Sequence, residues 1–212
     1  MEIEELTSDI STEPQEGAMV VDQVENSKEM KAESPVKVDY YPPPLGEGKM
    51  LNSSGGLGEP LNVIISGKSS PEVLTDHGFL NWARSIGFST EFLGLHRGTP
   101  QTADLGDGNG PKPEVKVIRQ DYGIPFFGTG IESLIGGNHF RYWRQDGPTA
   151  NSGALFLADE LVLRAVGKTK YKGVKYSTTS EAVEGLLPAG AVGINHSIAI
   201  DGKVVLLTIT IT

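Results

Sequence analysis

The chain has 212 residues, no cysteine and a formal net charge of −9. Residues 1–60 carry 13 acidic and 4 basic side chains, while residues 61–212 carry 14 of each, so the acidity belongs to the leading segment. A neutral body without a basic stripe argues against nucleic-acid binding, and the lack of cysteine excludes a disulfide framework and thiolate metal sites.

Residues 1–58 are rich in Glu, Ser and Pro and hold no sustained hydrophobic period, which predicts a disordered acidic tail with a Pro/Gly-rich linker. Within it, Glu2–Leu6 and Met19–Val24 are short helix or docking candidates, and Tyr40-Tyr-Pro-Pro-Pro-Leu45 resembles a polyproline II ligand. The start, Met1-Glu-Ile-Glu-Glu-Leu6, has neither the basic nor the apolar region of a secretory leader, so the chain as written reads as intracellular. No apolar run approaches the ~20 residues of a membrane span. Asn-x-Ser sequons at Asn52 and Asn195 matter only in a secreted chain.

The globular domain is expected over 59–212. Leu61-Asn-Val-Ile-Ile-Ser66 reads as a buried strand. Ser70 as N-cap and Pro71 at the first position predict a helix to about Ile86, stopped by Gly87, with Val73, Leu74, His77, Leu80, Ala83 and Ile86 as its apolar stripe. Strand, Gly67-Lys68-Ser69 and helix mimic a phosphate loop. The full pattern, however, needs a glycine where Asn62 stands, so Lys68 is a solvated turn residue. Phe88–Leu95 is a second strand, followed by a long loop, His96–Pro113.

That loop contains Asp104-Leu-Gly-Asp-Gly-Asn-Gly110. Asp104, Asp107 and Asn109 are weak candidates for a divalent cation, calcium or zinc, although Asp, Asn and Gly are also ordinary turn residues and no cofactor is required. Glu114–Gln120 alternates as a strand with Val115 and Val117 on one face, and Ile131–Ile135 suits a short helical turn. Then comes Gly136-Gly-Asn-His-Phe-Arg-Tyr-Trp-Arg144, the densest chemistry in the chain. Alternation places Asn138, Phe140, Tyr142 and Arg144 on one face and His139, Arg141, Trp143 and Gln145 on the other.

Asp146-Gly-Pro148 turns into a buried-type strand over Ser152–Ala158, pairing with the previous one. Lys170–Thr178 has an edge-strand pattern, Thr178-Thr-Ser-Glu181 has capping-box spacing for a helix ending near Leu187, and Val192–Ile200 with Val204–Ile211 form a hairpin through Asp201-Gly202. In the last strand Val205, Leu207, Ile209 and Ile211 make the buried face, with Thr208, Thr210 and Thr212 outward. The fold class is α+β, a single domain with a mixed or antiparallel sheet of about seven or eight strands and two helices.

Leu61-Asn-Val-Ile-Ile-Ser-Gly67, Ala103-Asp-Leu-Gly-Asp-Gly-Asn-Gly110, Gly136-Gly-Asn-His-Phe-Arg-Tyr-Trp143, Ser152-Gly-Ala-Leu-Phe156, Leu187-Pro-Ala-Gly190 and Ile194-Asn-His-Ser-Ile198 together resemble a family of small, typically secreted fungal proteins of unknown function. More distantly, the strand–helix opening and the His-x-Arg-x-Trp strand are similar to the LssY C-terminal domain. The resemblance covers 60–212 and implies no established activity. The chain departs from it in its acidic start and in a short Ala158–Arg164 connection, where relatives carry a longer polar stretch.

No nucleophile motif is present: there is no Gly-x-Ser-x-Gly and no His-Glu-x-x-His. The expected function is a non-enzymatic binding or interaction domain for a small polar ligand or protein, built around residues 136–144. Its candidate ligand-binding residues are Asn138, His139, Arg141, Trp143 and His196. The alternative is a metal-dependent or His-based hydrolase-like enzyme in which His139 and His196 meet an Asp of the 104–110 loop.

Overall fold

A computed structural model of the chain describes residues 36–96, 98–124, 127–158 and 165–212. The docking candidates at 2–6 and 19–24 and most of the short 158–164 connection lie outside the described residues. The strands are β1 (Val63–Ile65), β2 (Phe88–Thr90), β3 (Thr102–Ala103), β4 (Lys112–Pro113), β5 (Lys116–Gln120), β6 (His139–Asp146), β7 (Asn151–Ala158), β8 (Gly167–Tyr171), β9 (Val174–Val183) and β10 (Val204–Ile211). Two α-helices, α1 (Asp76–Ser85) and α2 (Gly128–Ile135), join them.

Eight strands form one sheet in the order β2-β5-β6-β7-β1-β10-β9-β8, and β3 with β4 makes a separate two-stranded ribbon. Every pair in the large sheet is antiparallel except β1 with β10. The α+β class and the mixed sheet are as the sequence predicts, and so is the β6–β7 pairing.

The sheet curls around α1. Helix α1 packs against both outermost strands, β2 and β8, which a flat sheet of eight strands would hold far apart. Phe79, Trp82 and Ala83 are fully buried at helical spacing and meet Phe140 and Tyr142 of β6 and Leu207 and Ile209 of β10 in one core. Trp82 donates its indole N–H to the Thr178 hydroxyl at 3.2 Å, and Ser85 reaches Thr169 of β8 at 2.7 Å.

The helix begins later than expected. Thr75 is the N-cap, its hydroxyl accepting from the Gly78 amide at 3.0 Å, with Asp76 in the first turn and Arg84 in the last complementing the dipole. Ser70 is not the cap: the Ser69 and Ser70 hydroxyls accept the Ile209 and Ile211 amides, continuing the hydrogen bonding at the edge of β10. Of the expected stripe, Val73, Ala83 and Ile86 are buried and Leu74 and Leu80 pack against the same core, but His77 is exposed, and Phe79 and Trp82 supply the rest of the inward face.

Two further expectations are corrected. Thr178–Leu187 is not a helix, because β9 continues to Val183 in an eight-pair register with β10. The turn feeding it is Lys172-Gly173, both at positive φ (44° and 89°), as a two-residue hairpin with type I′ geometry requires. Val192–Ile200 makes no hairpin strand: Val192 is almost fully exposed, and β10 finds its partners in β9 and β1. Asp201-Gly202 still turns, with Asp201 Oδ1 accepting the Lys203 amide, but the chain entering it is irregular.

Residues 36–58 are packed, contrary to the expected tail. Met50 is buried with Leu61, Ile64, Trp143, Phe156 and Leu206 in a second core on the sheet face opposite α1, with Tyr40 and Leu51 against it. The buried Gln145 carboxamide brackets Tyr41, accepting from its amide and donating to its carbonyl, both at 2.8 Å. The Tyr40–Leu45 run is therefore held against the domain, and Pro43–Gly46 forms a 3-10 turn. Asn52 is buried and bonded to Gln101 and Glu59, which removes it as a glycosylation site. Val36–Thr212 is one compact unit, and no helix among the described residues is long and apolar enough to cross a membrane.

Candidate functional site

Strand β6 divides its chemistry between the two faces. Phe140 and Tyr142 enter the α1 core, while His139, Arg141, Trp143 and Gln145 face the second layer, as alternation predicts. Trp143 is fully buried and donates its indole N–H to the Lys112 carbonyl at 3.1 Å. It is a core residue and cannot touch a ligand. Arg141 is also buried, between Glu59 at 3.7 Å and Glu114 at 3.6 Å. Asn138 is exposed outside the cleft described below, and its carbonyl accepts the Gln120 amide.

His139 sits at the half-open start of the strand. In the β5–β6 register it lies opposite Arg119, so the two side chains project from adjacent strands on one face. Glu132, buried on the inner side of α2, joins them: one oxygen contacts His139 Nδ1 at 3.2 Å and the other accepts from Arg119 at 2.8 Å. Arg119 also bonds Glu91 at 3.0 Å, and His96 stands between Glu91 at 2.9 Å and Glu114 at 3.6 Å. The pairs form an open chain of basic and acidic groups, His139–Glu132–Arg119–Glu91–His96–Glu114–Arg141–Glu59. Arg119, Glu132 and Arg141 are buried, so losing the partner of one of them leaves an uncompensated buried charge.

The two ends of this chain of groups, His139 and Glu59, line the same cleft of about 560 Å³. Its opposite wall is the irregular segment 187–201. Gly58 donates to the Gly193 carbonyl and accepts from the Asn195 amide, while the Asn195 carboxamide donates to Glu59, which fixes this segment beside the domain. His196 projects from it into the cleft lining. The Ile198 amide donates to His196 Nδ1 at 3.1 Å, so in this conformation Nδ1 is unprotonated and Nε2 carries the hydrogen of a neutral ring.

The structure thus brings together His139 and His196, the two histidines of the Asn-His pairs. Sequence reasoning missed Glu59, Asn62, Asp201 and Lys203, which supply the remaining polar groups, and Leu187 and Ile198, which supply an apolar side. Asn62 carried a signal, being the polar residue in an otherwise apolar strand pattern. Glu59 was legible only as the edge of a linker.

The Asp residues of the 104–110 loop do not join them. The fully buried Asp107 carboxylate is held by Lys112 Nζ at 2.9 Å, the Asn109 amide at 3.0 Å and the Asp146 amide at 3.2 Å. Asp146 ends the eight-residue strand that His139 begins, a separation of roughly 20 Å or more. Asp104 caps the Gly106 amide, and its carbonyl accepts from Lys49. A Cβ on Gly46, Gly48 or Gly106 would collide with backbone, so these glycines serve the close passage of residues 43–49 over the loop. Lys112 takes the place of the cation suggested for Asp107 and Asn109. Among the described residues no group of three or more His, Asp or Glu is arranged to hold a metal ion.

The chain matches no protein-family model, no curated protein and no solved structure.

Proposed function

We propose that this domain binds a small, uncharged polar ligand in the cleft between the start of β6 and segment 187–201. The observation that carries the reading is the convergence of His139 and His196 on one cavity with Glu59, Asn62 and Asp201. Its volume is that of a small-molecule site, and its composition is two-sided. Carboxylates accept, a neutral imidazole with Nε2–H donates, and a carboxamide does both. Pro60, Leu187 and Ile198 add apolar surface to the same lining. A molecule with hydroxyls along its edges and a C–H face, such as a sugar or cyclic polyol, satisfies both sides. The family resemblance names no activity, so the reading rests on the cleft.

Titration of the full chain against a panel of monosaccharides, disaccharides and polyols, followed by amide chemical shifts, tests it. Binding confined to cleft resonances and weakened about tenfold by His196→Ala is expected, the loss of roughly one neutral hydrogen bond. No shift from any member, or binding unaffected by both His139→Ala and His196→Ala, would sink the proposal.

A second reading rests on the Glu132–His139 pair. A buried carboxylate that orients an imidazole at a cleft is the arrangement of a general base. Turnover of a glycoside or ester that is bound in the cleft, abolished by His139→Gln with binding retained, would favour it over binding alone.

A further inference from the structure

Helix α2 has two opposed faces of different character. Inward, Glu132 holds Arg119 and His139. Outward, Phe127 just before the helix and Ile131, Leu134 and Ile135 within it follow one another at helical spacing, and all are exposed: Phe127 at 61%, Leu134 and Ile135 at 76% each. The neighbouring turn at Phe92–Gly94 adds Leu93 and Leu95, exposed at 61% and 64%. Leu93 sits at φ 57°, a left-handed backbone that bulky L-residues seldom adopt, and in that conformation its side chain faces solvent. Ile124 extends the patch along the chain entering α2.

We propose that this face is a docking surface for a second copy of the same chain, related by a twofold axis. Area is the first ground. Six to seven large apolar side chains, mostly half exposed or more, present an area on the order of the ~800 Å² that each partner buries in a standard interface, and more than a monomer normally leaves contiguous. Charge is the second. Glu132, the one ionisable residue of α2, is turned inward and 3% exposed, so a partner meets no unpaired charge across the helix face. Shape is the third. Between Phe92, Leu95, Phe127, Ile131 and Leu134 lies an apolar groove of about 400 Å³ floored by Gly130 and Ser133. Groove and protruding leucines share one face, which a twofold, self-complementary contact requires. Because Glu132 on the inner side of α2 contacts His139, docking there bears on one residue of the cleft lining.

The test is sedimentation equilibrium of the full chain over a concentration series, with circular dichroism and thermal melting as fold checks. The expected mass is twice the 22.6 kDa of the chain, and Leu134→Asp with Ile135→Lys should return it to one copy without loss of secondary structure. Leu93→Lys, outside the helix, should weaken the dimer independently and serves if the double variant does not fold. A chain that stays at one copy throughout the series overturns the proposal. So does a dimer that survives both sets of substitutions. Binding of the monomer to phosphatidylcholine vesicles, abolished by the same variants, would assign the face to a lipid surface and equally overturn the second copy.

Discussion

Asp107 has no exposure to solvent, and burial alone would push its carboxyl up. Lys112, with the Asn109 and Asp146 amides, outweighs that effect and holds it below the usual carboxylate range. A carboxyl with a depressed folded value contributes stability that is present above its unfolded value, near ~3.9, and lost as pH falls through the folded one. Asp107→Ala should therefore cost about 2–4 kcal/mol at neutral pH, the lower part reflecting that Lys112 keeps Asp146 as a partner. Urea midpoints of the native chain and the variant should converge as pH falls through the lowered folded value of Asp107. A gap that persists there would mean that the loss comes from packing and not from the ionised carboxylate. The same residue marks a limit of sequence reading. Asp104, Asp107 and Asn109 at short spacing among glycines suit a cation equally well, and only the placement of Lys112 decides between ligand and salt bridge. Residues whose strand face follows from alternation alone, such as Phe140, Tyr142 and His139, were legible to that extent. Arg141 and Trp143 share the face of His139, but how deep each lies depends on the chain folded over it, which alternation does not report.

At the scale of elements, a residue pattern gave the right answer where one period dominated. Strand β1 is three apolar residues buried on both faces, and β7 ends in five buried ones. The errors fell where local chemistry supports two structures. Thr178-Thr-Ser-Glu181 has helix-cap spacing, yet Thr and Val also favour strands, and the eight-pair register with β10 outweighs a local cap. A comparison of variants separates the two. Thr178→Val keeps the shape but leaves the buried Trp82 N–H without its acceptor, for an expected loss of about 1–2 kcal/mol by urea denaturation. Glu181→Ala, at an exposed position of β9, should stay within about 0.5 kcal/mol. A loss at Glu181 equal to that at Thr178 would point back to a reciprocal cap. The hairpin expected at 192–211 failed for a related reason. Asp-Gly fixes a turn but not what precedes it, and segment 187–201 is held by Gly58 and Glu59 from elsewhere in the chain. That same irregularity is what opens the cleft.

For the whole molecule, the decisive fact is that the sheet is covered on both sides by different means. Helix α1 fills the concave side. Among the described residues the other side has no helix over its centre and is closed by chain with little regular structure, including residues 36–58, whose composition suggested a solvated tail. Composition averages over the segment, whereas burial is carried by a few residues: Tyr40 edge-on to Phe156 with centroids 6.3 Å apart, Met50 within the second core, and Leu51 against it. Burying large apolar side chains contributes roughly 1.5–3 kcal/mol each. Met50 gains this in full and the partly buried Tyr40 and Leu51 a part of it, together a sizeable share of the ~5–15 kcal/mol that separates a folded domain from its unfolded chain. A chain beginning at Glu59 should accordingly melt far below one beginning at Val36, or without a cooperative transition, and should expose Trp143 and Phe156 to dye binding. Trp143 fluorescence would shift to the red in the shorter chain, while Trp82, under α1, would report whether the concave core survives. Equal melting temperatures for the two chains would show that the sheet stands without this cover and that residues 36–58 serve only to position Glu59 at the cleft.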